Sequence, residues 1–160
     1  MAFRAWPPVA VAPPGSLGHS ERVTNMSDFI AYHSVRKMKR DYRPREQFHF
    51  FSSKADGFLR NAIGSRVWVV VGRCDGRRTH YRLAGVFTPS EVRRESDGFD
   101  IVGTGTPFHP PCELTTLPWF SNLLREQRNF SFGFSRIRGK SIVAELERLL
   151  AEQEQKAVAS

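Results

Sequence analysis

The sequence predicts an α+β fold in one domain, a hairpin-rich sheet flanked by short helices and a C-terminal amphipathic helix. Three observations carry that prediction. Arg66-Val67-Trp68-Val69-Val70-Val71-Gly72 is a β-branched run of the kind buried on both faces of a sheet. Asp75-Gly76 supplies a tight turn, and Thr79–Phe87 returns as a second strand. Ile142, Val143, Leu146, Leu149 and Leu150 fall on one face of a helix.

The other elements follow along the chain. Residues 1–25 are rich in Pro, Gly, Ser and Ala without periodicity, and are expected to be a disordered extension. Patterned sequence begins just after Met26, as expected if translation starts there. The folded domain is expected over 26–155, with 156–160 as a flexible tail. Phe29–Val35 reads as a first strand, Arg36–Arg45 as a basic loop, and Phe48–Phe51 as a short strand or buried loop. Ser53-Lys54-Ala55-Asp56 resembles a capping box, so a short helix is expected over 54–63 with Ser53 as its cap and Gly64 as its stop. Thr88-Pro89-Ser90 is expected to end the return strand. Phe99–Gly103 is a further strand, followed by a Gly/Thr/Pro-rich loop through Pro111. Pro118 opens a helix with Trp119, Phe120, Leu123 and Leu124 on its apolar face. Asn129–Phe134 alternates and reads as a half-buried strand with Phe130, Phe132 and Phe134 inward. Ser141 is placed to cap the last helix.

Composition narrows the function. The 160 residues carry a formal charge of +8. The last twenty are net acidic, with Glu145, Glu147, Glu152 and Glu154 against Arg148 and Lys156, so the positive excess lies upstream. Such a body favours polyanionic partners, DNA or RNA, over a merely solubilising role. Cys74 and Cys112 form no CxxC pair, which argues against a zinc site or a disulfide framework and for a reducing cytoplasm. His33, His49, His80 and His109 are scattered, without metal-ligand spacing. No metal or other cofactor is expected. No apolar run reaches the ~20 residues of a membrane helix. Prolines at 7, 8, 13 and 14 interrupt the N-terminal apolar stretch, which makes a poor signal peptide.

Several segments resemble the EVE family, a PUA-like relative of the YTH and ASCH domains. Ala62-Ile63-Gly64-Ser65-Arg66-Val67-Trp68-Val69-Val70 looks like the family's helix, glycine turn and strand, with Ser65-Arg66 where an acidic residue is usual. Tyr81–Phe87 looks like the strand that follows. Leu123–Phe132 resembles the Arg-Gln-x-x-hydrophobic-Ser closing segment, and Ile142–Leu150 the last helix. The resemblance spans about residues 28–152. Tyr32-His33-Ser34 departs from the family's aromatic-x-x-Lys-Ser, and Phe51-Ser52-Ser53-Lys54 from its Arg/Asn-rich loop. The resemblance implies a PUA-like mixed/antiparallel β pseudo-barrel with a pocket at one side for a flipped or modified base. It also implies a setting beside nucleases that restrict modified DNA.

A base-reading pocket needs a surface for stacking, polar groups to read the base edge, and cations at the rim for phosphate. The pocket set is Tyr32, His33, Ser34, Phe51, Ser52, Ser53, Lys54, Trp119 and Ser131. Ser52, Ser53 and Lys54 sit at the expected helix start, where backbone N–H groups and a lysine favour anions. Tyr32 and Ser34 share one face of the first strand, with core packing as the competing role for Tyr32. Trp119 edges a pocket or packs its helix; Ser131 points away from the phenylalanines. The phosphate set is Arg36, Lys37, Lys39, Arg40, Arg43 and Arg45, joined by Arg73, Arg77 and Arg78 at the hairpin tip. A solvated charged loop is the plainer reading of both clusters.

The function expected from all this is nucleic-acid binding without catalysis. An RNA-processing or nucleotide-hydrolysing enzyme is the first alternative, with Lys54, His33 and Asp56 as its candidates. A protein-interaction module partnered with a nuclease is the second.

Overall fold

The computed structural model describes residues 27–159 and shows an α+β fold built on one curled six-stranded sheet. In chain order the elements are β1 (Asp28–Ser34), α1 (Val35–Met38), β2 (Gln47–Ser52), α2 (Asp56–Arg60), β3 (Arg66–Asp75) and β4 (Arg78–Glu95). Then come β5 (Gly98–Glu113), α3 (Phe120–Glu126), β6 (Phe134–Arg136) and α4 (Lys140–Ala159). The sheet order is β2-β5-β4-β3-β1-β6. β1 and β3 run parallel, Asp28 opposite Arg66 and Ser34 opposite Gly72; every other pairing is antiparallel.

Period-two alternation divides the strands between two cores. Phe29, Ala31, Val67, Val69, Phe87 and Phe134 face inward with Phe48 and Phe50 of β2, and α2 adds Leu59. Ile30, Trp68, Val70, Leu83 and Val86 face outward beneath α3 and α4, meeting Leu123, Ile142, Leu146 and Leu149. Phe50 and Phe134 lie on opposite edge strands, yet their ring centroids are 6.3 Å apart. The sheet therefore curls until its two edges share an aromatic core, which makes it a half-barrel. Phe29 stacks on Phe134 at 5.5 Å and Phe48 on Phe87 at 4.9 Å, so the interior is filled with side chains.

The structure corrects several sequence expectations. β4 does not end at Pro89, nor does β5 at Gly103: the pair continues past a bulge at Pro89/Glu91 and forms the longest arm of the sheet. The glycines that read as loop are strand residues. A Cβ on Gly103 would strike the Thr88 carbonyl, and one on Gly105 the Val86 carbonyl and Phe87. Close backbone approach at the bulge explains them.

Residues 129–134 are not a strand. Arg128, Asn129, Phe130 and Gly133 all take left-handed backbone conformations, and only Phe134–Arg136 pairs with the sheet. Alternation would put Phe130 and Phe134 on one face, whereas they serve opposite cores. Phe130 stacks on Tyr32 at 4.8 Å behind the sheet, and Phe134 packs inside it. Phe132, expected inward, is 43% exposed.

Helix α2 is shorter than expected and begins after Ala55, which gives no side-chain cap. Ser53 does not cap it; Ser52 Oγ accepts instead from the Lys54 N–H at 3.2 Å. The first residues of the basic loop form α1, and Ser34 Oγ accepts from the Lys37 N–H at its start. Helix α4 starts one residue before Ser141 and runs to Ala159, through most of the expected tail. The expectation for residues 1–25 lies outside the described residues. No helix among the described residues is long and apolar enough to cross a membrane.

Candidate nucleic-acid interface

The half-barrel interior is packed, but one of its ends is open. There the chain leaves β1, turns through α1 and crosses as residues 39–46 before entering β2. On the far side the β3–β4 hairpin and the end of β5 rise past it. Leu83 pairs with Cys112 and Gly85 with Pro107, so residues 108–111 bulge out of the ladder. Between loop, hairpin and bulge lies a cleft of about 920 Å3. Its floor is Val71 and Phe108. Its walls carry Asp41, Tyr42, Arg43, Arg73, Asp75, His80, Arg82 and His109.

The hairpin register fixes the cationic wall. His80 lies opposite Arg73 and Arg82 opposite Val71, so residues 71, 73, 80 and 82 share one face. The loop is held at several points. His33 Nε2–H donates to the Arg40 carbonyl at 2.8 Å, and the Tyr42 hydroxyl donates to the His49 carbonyl at 2.9 Å. Asp41 lies 3.4 Å from Arg73 and 3.9 Å from Arg43. Burial raises the Tyr42 phenol far above its usual range, with the Asp100 charge adding to the effect, so it stays a neutral donor. Arg43, Arg73 and Arg82 face Asp41 and Asp75 across the cleft, and Arg82 Nε also pairs with Glu113 at 3.3 Å, so the three guanidiniums are exposed but partly compensated. A smaller depression of about 470 Å3 lies on the other side of the loop, lined by Arg40, Arg45, Gln47 and His49 together with residues 41–44.

The cationic set is partly gathered here. Arg40, Arg43, Arg45 and Arg73 border one or both depressions. Arg36, Lys37 and Lys39 are exposed on and just after α1, and Arg77 and Arg78 at the hairpin tip; none of the five lines either depression.

The pocket set is dispersed, and none of its nine residues lines the cleft. Tyr32 points behind the sheet between Tyr81 and Phe130, where burial pushes its phenol up to about 12. His33 is buried and occupied with Arg40; Ser34 caps α1. Trp119 precedes α3 and packs edge-on against Phe120 in the outer core. Phe51 and Ser52 end β2 and Ser53 and Lys54 follow it, and there Lys54 Nζ sits 5.5 Å from the Phe132 ring centroid, next to Ser131. Arg128 approaches the same ring at 5.8 Å.

The catalytic candidates do not assemble. His33 is buried, and Asp56 pairs with Arg60 at 2.8 Å, away from the cleft. No cluster of metal-ligating side chains occurs among the described residues. Sequence reasoning missed Tyr42, His80, Arg82 and His109. For His80 and Arg82 the signal was present: the Asp75-Gly76 turn sets the register that aims them at Arg73.

No family model matches the chain, and comparison with curated proteins and with solved structures finds no significant match.

Proposed function

We propose that this chain is an EVE-like member of the PUA-like domains that binds nucleic acid, holding a flipped or modified base in the cleft at the open end of the half-barrel. One observation carries the reading: a cleft of about 920 Å3 with an apolar floor, an aromatic wall at Tyr42 and a rim of Arg43, Arg73 and Arg82. That volume suits a nucleotide-sized ligand. Tyr42 offers a face for the base, Asp41 and Asp75 accept from exocyclic amines, and the guanidiniums take the flanking phosphates. The curled sheet with its parallel β1–β3 pair and the basic composition support the same assignment.

The test is anisotropy with labelled oligonucleotides, plain and carrying modified cytosine or adenine, across a salt series. Tight binding with a steep salt slope is expected. Arg73→Glu with Arg82→Glu should weaken it at least about tenfold and flatten the slope by about one to two units, while Arg36→Glu changes either far less. An unchanged slope in the double variant refutes the reading.

A further inference from the structure

Loop 41–44 borders two depressions at once. Asp41, Tyr42, Arg43 and Pro44 line the cleft on one side and the smaller groove on the other. The loop is braced rather than free. Pro44 is buried, Tyr42 is tied to the His49 carbonyl, and Asp41 reaches Arg73 across the cleft. On its crest Arg43 leaves 88% of its side chain exposed. Beyond it the groove carries Arg40, Arg45 and His49, and neither Arg40 nor Arg45 has an acidic side chain within 4 Å among the described residues.

We infer that loop 41–44 is a divider between two adjoining subsites, so that the ligand is an oligonucleotide crossing the loop and not a free nucleotide. This rests on the proposed function and assigns its second compartment. One unit enters the cleft. The phosphodiester beyond it passes over Arg43, and the next unit lies in the groove against Arg40 and Arg45. The two volumes differ as this requires: the cleft encloses a base with its sugar, while the groove has room for a backbone unit and a shallowly held base. The carboxylate common to both compartments is Asp41, turned to Arg73 and Arg43 and so largely compensated; Asp75 adds a second to the cleft wall, and Asp100 lies beside the groove paired with His49 at 2.8 Å.

The experiment compares a 5′-labelled mononucleotide with oligonucleotides of two, four and eight units, binding to the full chain and to two variants. Arg45→Glu changes the groove alone and Arg82→Glu the cleft alone. Affinity is expected to rise at least about tenfold from one unit to four. Arg45→Glu should remove most of that gain and leave the mononucleotide unchanged, whereas Arg82→Glu weakens every length. A mononucleotide bound as tightly as the octamer, or weakened equally by Arg45→Glu, overturns the second subsite and leaves the cleft reading standing. Indifference of every length to Arg82→Glu overturns the cleft reading itself.

Discussion

Replacing Asp28 with Ala should cost about 2–4 kcal/mol, more than any single surface ion pair in the molecule. Asp28 sits at the start of β1, only 6% exposed. Its Oδ1 accepts from the Trp68 indole N–H at 2.8 Å and from Arg66 Nε at 2.9 Å. Arg66 reaches on to Glu147 of α4 at 2.6 Å. These residues join three elements where no hairpin can: β1 and β3 are parallel, and Asp28 pairs with Arg66 at the first rung. Truncation leaves the indole N–H of a fully buried tryptophan without its partner, which costs about 1–3 kcal/mol. Losing one member of a fully buried ion pair costs about 3–5 kcal/mol. Arg66 is partly solvated and keeps Glu147, so only about 1 kcal/mol of that applies here.

Urea unfolding followed by circular dichroism measures the loss, with the m-value unchanged. At roughly 3–5 °C per kcal/mol for a domain of this size, Tm should fall by about 10 °C. The sharper check is a double-mutant cycle with Trp68→Phe, which deletes the donor. Once Asp28 is Ala, Trp68→Phe should cost at least about 1 kcal/mol less than in the native background. Additive costs, or a loss below about 0.5 kcal/mol for Asp28→Ala, refute the reasoning.

Other perturbations probe separate features. The chain has three tyrosines, and Tyr32, Tyr42 and Tyr81 are all raised, mainly by burial. A raised phenol stabilises the fold below its unfolded value near 10 and loses that contribution as pH climbs through the folded value. Stability should therefore decline from about pH 10 upward, and tyrosinate absorbance of the folded protein should lag that of the unfolded chain; a tyrosine ionising at its ordinary value while the chain stays folded is the contrary result. Gly105→Ala would push a Cβ into the β4 backbone, and thermal unfolding should show a loss of at least about 2 kcal/mol, against little effect for Gly57→Ala, whose Cβ meets open space. Phe132→Ala removes the ring shared by Lys54 and Arg128 and should cost about 1 kcal/mol or less by urea unfolding, since both contacts are exposed; a loss above about 2 kcal/mol means the ring is held by more than these cations.

How far the sequence foretells the molecule depends on whether a residue's task is local. The β3 run, the Asp75-Gly76 turn and the α4 stripe are set by their own periods, and each element lies where its pattern puts it. The β4–β5 arm is different. Pro89, Gly103 and Gly105 punctuate a sequence as loop residues, yet they lie in strands because a bulge brings two backbones together there, and that approach depends on a partner some fifteen residues away. Phe130–Phe134 fails for a related reason: a period of two assumes one core, and this short segment feeds two. The site shows the same division. The basic loop was legible as charge, and Arg40, Arg43 and Arg45 are found around the open end. Its carrier was not, because a cleft is a relation between elements. Arg82 joins Arg43 only when the hairpin register, the 108–111 bulge and the curl of the sheet hold at once. Ser34 was read as a ligand group from its face on the first strand, and Ser52 from its place beside the expected helix start, where a serine serves either an anion or the chain's own N–H groups. In the fold both hydroxyls accept from the chain's own N–H groups, Ser34 Oγ from Lys37 and Ser52 Oγ from Lys54.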